Sequence, residues 1–316
     1  MKIYVGVTDN EWFYYLSQLK NRNPEYLDEV NFWQPSAEVP FKSIQQGEIF
    51  LFKLHSPKDF IVGGGVFARY SVLPISIAWE ALGSKNGAGS YIEMRRQIIQ
   101  YKRIQDNPFV DFRIGCIILT QPFFFDESEW FSVPEWSRSI VRGKTYNLDS
   151  EAGRIIWRNL SQIWKNRKVF DLDREARRIE EEHARFGKEM TIKPRLGQGA
   201  FKIAVTEAYT RSCAITRERA LPVLEAAHIK SYADGGPHEV NNGLLLRSDM
   251  HRLFDKGYIT VTPDLHIEVS RCIKDEFDNG EYYFTFHGNP IHPPQSPIES
   301  PSEEFLIWHN EKIYKG

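Results

Sequence analysis

The sequence predicts an α+β protein of two domains joined by a helical connector, and three observations predict it. The 316 residues amount to roughly two domains at about 150 residues each. Hydrophobic residues at 41 % and charged residues at 26 % are the proportions of a folded globular chain. The residue pattern also changes twice, near 148 and near 190: short apolar runs, then helical periodicity, then a third composition with a Gly-Gly turn and a leucine-rich run ending in His251. The domains are accordingly set at 1–148 and 191–316, with the connector at 149–190.

Ile3 to Val7 opens the chain as a short strand. Ile49 to Leu54 and Ile61 to Phe67 are apolar runs split by the turn residues Ser56-Pro57-Lys58-Asp59. Gly63, Gly64 and Gly65 within the second run predict a bulge or a close backbone approach. Ser90 followed by Glu93 is a capping box, opening a helix to about Arg103 with Tyr91, Met94, Ile98 and Tyr101 on one face. Arg113 to Leu119 is a further buried strand. Many short strands around few helices predict a barrel-like α+β domain. Asp149 or Ser150 caps a helix through Ile155, Ile156, Leu160, Ile163 and Trp164. From Asp171 to Met190 a narrow apolar stripe in a charged segment reads as a long connecting helix or a short dimerisation element, so a homodimer is a candidate assembly. Gly197 and Gly199 precede a helix from about Ala200 to Tyr209, and the proline-rich stretch 290–301 is expected to wrap the surface.

Cys116, Cys213 and Cys272 are odd in number and far apart, which excludes a dense disulfide framework and favours a reducing compartment. No apolar run approaches the roughly 18 residues of a membrane span, and the N-terminus lacks a signal-peptide pattern, so a cytoplasmic protein with no membrane partner is expected. The formal net charge is −2. A nucleic-acid binder is often strongly basic, but the mean hides segregation. Residues 41–103 carry a net +5, residues 191–231 a net +4, and residues 261–316 a net −6.

The informative segment is Val223 to Tyr258. His228 ends a β-like run, Gly235 and Gly236 mark a turn, and Asn242 opens a second apolar run. His251 and Asp255 then stand at i and i+4, on one face of a helix. An imidazole and a carboxylate so placed can reach one divalent cation.

This arrangement resembles the HNH (ββα-metal) endonucleases, and the resemblance extends over 195–209, 213–216 and 258–270. It implies a β-hairpin and helix around one divalent metal, Mg²⁺ or Mn²⁺, with Ni²⁺ and Co²⁺ as further candidates. It assigns His228 as general base, Asn242 as the residue orienting it, and His251 and Asp255 as metal ligands. Lys230, Arg247 and Arg252 are candidate contacts to DNA phosphates. Two departures stand out. Ala227 stands where many members carry a metal ligand, which leaves the metal either with fewer protein ligands or with Glu225 reaching in from the same side of the strand. Of the two Cys-x-x-Cys pairs many members carry, only Cys213 remains, with Thr216, Arg247 and Met250 at the other positions, so no structural zinc is expected.

The stretches 30–36, 50–57, 61–67 and 78–90 resemble the PUA superfamily (EVE, YTH, ASCH and SRA-like modules). That resemblance implies a small barrel holding an extruded, often modified, base in an aromatic pocket, with Asn31, Phe32, Trp33 and Trp79 as candidates. Together the two resemblances imply a modification-dependent restriction endonuclease acting on double-stranded DNA, with a modified cytosine as the target. The alternatives are an HNH nuclease whose front domain reads sequence or RNA, and a non-catalytic nucleic-acid-binding protein retaining the fold. A His228 base at the ordinary imidazole pKa, near 6.5, would lose activity as pH falls through that value.

Overall fold

A computed structural model describes residues 1–137, 139–167, 177, 191–192 and 194–316. It divides the chain into two compact units, 1–195 and 196–316.

The N-terminal unit is built on one seven-stranded sheet. Its strands are β1 (Lys2–Thr8), β2 (Glu29–Gln34), β3 (Ile49–Leu54), β4 (Phe60–Pro74), β5 (Arg113–Phe124), β6 (Phe131–Ser132) and β7 (Gly143–Asn147). The order is β2-β5-β4-β3-β1-β7, with β6 pairing β4. Only β1 and β3 are parallel, in the register Ile3↔Ile49 to Thr8↔Leu54. A parallel pair needs a long crossover, which here carries helix α1 (Asn10–Arg22) and β2.

Side chains alternate between the faces of a strand, and both faces of this sheet are covered. Ile3, Val5, Ile49 and Leu51 pack into one core with helix α4 (Glu151–Arg167), through Ile156, Leu160, Ile163 and Trp164. The intervening residues form an aromatic layer: Tyr4 against Phe41 and Phe50, and Phe32 against Trp12, Phe50 and Phe52. All six residues of β3 are therefore buried.

This corrects the expected barrel. The sheet is open, with β2 and β7 at its ends. Helices cover both faces of the central strands, so the apolar surface is buried between layers and need not be enclosed by closing the sheet. The segment 149–167, expected in the connector, is the core helix α4 of this unit. Ser150 Oγ accepts from Gly153 N–H at 3.0 Å to cap it. Apart from Arg177, the expected connecting or dimerisation helix at 171–190 lies outside the described residues.

The glycine run does produce an irregularity, a register shift between Gly64 and Val66. A Cβ on Gly64 would stand 2.5 Å from Phe50 O, so only glycine lets the strands approach there. Helix α2 (Ile75–Leu82) follows β4 directly, and α3 (Tyr91–Lys102) starts at the expected cap. Ser90 Oγ accepts from Glu93 N–H, but the Glu93 carboxylate accepts from Gly89 rather than from Ser90.

In the C-terminal unit, α5 (Gln198–Ala208) packs against an antiparallel hairpin, β8 (Leu224–His228) and β9 (Gly243–Arg247). Helix α6 (Ser248–Asp255) follows β9 without a loop. A second hairpin, β10 (Ile259–Val261) and β11 (Ile267–Val269), and the short helices α7 (Cys272–Phe277) and α8 (Glu281–Phe284) precede α9 (Glu303–Lys312). Phe201, Val205, Cys213, Leu244, Leu245, Leu246, Met250 and Phe254 form the core. Burying a side chain of this kind contributes about 1.5–3 kcal/mol. Met250 and Phe254 sit four apart on α6 and fix which face of that helix looks outward. Residues 290–301 are not merely a surface wrap, since Ile291 N–H donates to Leu265 O and His292 N–H to Ala214 O. Among the described residues no helix is long and apolar enough to cross a membrane.

Candidate nuclease site

The hairpin register pairs His228 with Gly243, so His228 stands at the loop end of the hairpin. Its ring stacks on Phe201 of α5, with centroids 4.0 Å apart and planes 13° apart. A Cβ at position 243 would come within 2.5 Å of Val205 and 3.0 Å of Phe201, so glycine opposite His228 lets α5 close on the hairpin. Burial, with the neighbouring His238 and His251 adding to it, pushes the His228 pKa down to about 4. The imidazole is thus neutral across the physiological range, and the expected loss of base function near pH 6.5 moves down to about pH 4.

Asn242 is fully buried. Its Oδ1 accepts from Lys230 N–H at 2.9 Å, and its Nδ2 donates to Lys230 O and Pro237 O, each at 2.9 Å. One side chain therefore closes both ends of the loop that leaves His228. Gly235 closes a 3₁₀ turn at φ +82°. A Cβ on Gly236 would fall 1.9 Å from Lys230 O, so the loop can fold this tightly only with glycine there.

On α6, His251 Nε2 lies 3.3 Å from Asp255 Oδ2, as the i,i+4 spacing requires. Its Nδ1 lies 2.6 Å from Glu225 Oε2 on β8. Partial burial raises the Asp255 pKa, with the Glu225 charge adding to it, while His251 opposes the rise. Two carboxylates flanking an imidazole supply the oxygen and nitrogen donors that divalent cations take, so the residues fit such an ion by their chemistry. Both ring nitrogens of His251 face carboxylates, and among the described residues no three such side chains already converge on one point.

The phosphate candidates separate. Arg252 is exposed on α6. Lys230 lies over the Trp308 ring at 5.7 Å. Arg247 is held in the fold, with two 2.7 Å contacts to Asp249 and one of 3.1 Å to Tyr282 Oη. Cys213 is buried, and its Sγ accepts from Thr216 N–H and Arg247 N–H.

The sequence reading missed His238, whose Nδ1 lies 2.9 Å from His228 Nε2, and Tyr232, stacked on His238 at 4.6 Å and 3°. A histidine in an irregular loop carries no periodic signal. The only hint was the Gly-Gly-Pro turn just before it, which folds the chain back.

In the N-terminal unit, Phe32 and Trp33 line a cavity of about 600 Å³ with Trp12, Tyr101, Asp9 and Arg142 among its other walls. Trp33 is held by Nε1–H donation to Asn86 O at 3.0 Å, and Tyr101 by donation to Asp9. Asn31 and Trp79 are not among the walls. Asn31 is fully buried, with its Nδ2 donating to Asn86 Oδ1 at 2.8 Å, and Trp79 stands half-buried on α2. Much of the basic charge of 41–103 is also consumed internally, as Lys53 pairs Asp59, Lys85 pairs Asp28 and Glu29, and Arg95 pairs Asp106.

The HNH endonuclease family matches residues 213–262, which span β8, β9, α6 and β10. No curated protein matches the chain. A solved structure described as a modification-dependent TagI restriction endonuclease is 12 % identical, over 92 % of this chain and 76 % of that one, with a TM-score of 0.27. The chain carries an HNH endonuclease domain and is a nuclease, a hydrolase acting on DNA.

Proposed function

We propose that this HNH nuclease hydrolyses DNA phosphodiesters with His228 as general base, and that its N-terminal unit reads a modified base. The observation that carries the first part is the hairpin and helix that carry His228, Asn242, Glu225, His251 and Asp255 within the family-matched segment. Neutral His228 takes a proton from water, whose oxygen attacks phosphorus as the bond to the leaving sugar oxygen breaks. Asn242 holds the loop that orients this base. Glu225, His251 and Asp255 would hold a divalent cation, Mg²⁺ or Mn²⁺, which supplies charge stabilisation at the phosphate and leaving oxygen when bound. Arg252 and Lys230 are offered to the backbone phosphates.

The second part rests on the cavity walled by Trp12, Phe32, Trp33 and Tyr101. Its volume lies in the range of small-ligand pockets, and aromatic walls suit an extruded base. The test is digestion of phage DNA with and without cytosine modification, in Mg²⁺ or Mn²⁺. Cleavage of modified DNA alone is expected. Equal cutting of both would leave the nuclease and remove the modification reading, and no cutting of any DNA by the wild-type chain would favour a non-catalytic binder.

A further inference from the structure

We propose that His238 is a positioning residue that sets the tautomer of the His228 base. The inference rests on His228 being that base. The two imidazoles meet through His228 Nε2 and His238 Nδ1 at 2.9 Å, and only one proton fits between them. If His238 donated, neutral His228 would carry its own proton on Nδ1 and have no lone pair left for water. If His228 donates from Nε2, its Nδ1 lone pair is open, and His238 keeps its proton on Nε2. Only the second arrangement makes a base. After Nδ1 takes the proton from water, Nε2–H still donates to His238, now as a charge-assisted hydrogen bond.

The surroundings hold this geometry. His228 is fixed by its stack on Phe201, and His238 by its stack on Tyr232. The backbone just before His238 is anchored through Pro237 O to Asn242, the same side chain that holds Lys230 two residues after His228. The loop thus returns its histidine to the base. A histidine base is commonly oriented by a partner on its other nitrogen, often a carboxylate or carbonyl, and here that partner is a second imidazole.

The test uses the full chain. His238→Phe keeps a ring for Tyr232 to stack on but removes the acceptor, while His238→Asn places an amide oxygen near the Nδ1 position. In nicking of a plasmid carrying modified cytosine, with Mg²⁺, His238→Phe is expected to lower kcat about 10–100-fold with KM unchanged, and His238→Asn to restore it to within about 3-fold of wild type. Wild-type kcat in His238→Phe, or equal losses in both variants, would overturn the proposal. Independently of activity, ¹⁵N-histidine spectra of the wild type are expected to show His228 protonated at Nε2, and a proton at Nδ1 would overturn it even if the variants failed to fold. His228→Ala separates the two readings, because cleavage retained in that variant removes the base assignment itself.

Discussion

Each unit buries one asparagine that the sequence singled out, and the two do different things. Asn242 makes three hydrogen bonds to Lys230 and Pro237 and closes the loop between His228 and His238. Asn31 makes one side-chain bond, to Asn86, and its buried Oδ1 has no hydrogen-bond partner. The same contrast runs through the other candidates. In the C-terminal unit the polar residues need one another: Glu225, His251 and Asp255 form one chain of contacts, and His228 and His238 another. In the N-terminal unit the aromatic candidates mostly serve packing, and only Phe32 and Trp33 reach a cavity. A catalytic site is legible when its residues have no other reason to be together. An aromatic pocket resembles the core it is cut into.

The sharpest way to break this comparison is His228→Ala, expected to lower nicking about 10²–10⁴-fold with the fold retained by circular dichroism. Wild-type rates would show that the hairpin cluster is structural. Next, Asn242→Ala leaves three partly buried backbone groups without the side chain that holds them and is expected to cost about 3 kcal/mol in urea unfolding, against about 1 kcal/mol for Asn31→Ala. Equal costs would erase the contrast between the two asparagines.

Acid should separate the units as well. Burial lowers the pKa of His309 to about 4, and that side chain stacks on Phe254 behind α6. The unfolded chain binds the extra proton from about pH 6.5 downward and the folded chain only near 4. Stability is therefore full above 6.5 and declines between those values, by roughly 3 kcal/mol at the lower end. Hydrogen exchange along β8 and β9 should accelerate over that window before exchange in β1 and β3 does. Cleavage itself should persist below pH 6.5 for as long as the fold does, because His228 is neutral down to about 4. A rate falling tenfold between pH 7 and 6 would contradict this.

The smallest effect tests the N-terminal reading. Trp33→Ala should weaken binding of modified DNA about 10-fold, the loss of one stacking partner, and leave the weaker binding of unmodified DNA unchanged. Trp79→Ala, outside the cavity, should change neither.

The sequence by itself determined the local elements whose cause is local. Ile49 to Leu54 is the strand β3, Ser90 caps α3, and Gly63 to Gly65 bring an irregularity, because a short apolar run bounded by turn residues, capping and glycine act within a few residues. It also determined the spacing that puts His251 and Asp255 on one face of α6. The tertiary structure alone decided what depends on distant neighbours. Helices on both faces left the sheet open where a barrel was expected, and the same packing drew α4 into the core. Arg247 was spent on Asp249 and Tyr282, which no spacing rule could foresee. His238 reached His228 because a glycine turn and one buried asparagine folded ten residues back on themselves, a contact set by loop closure and not by periodicity.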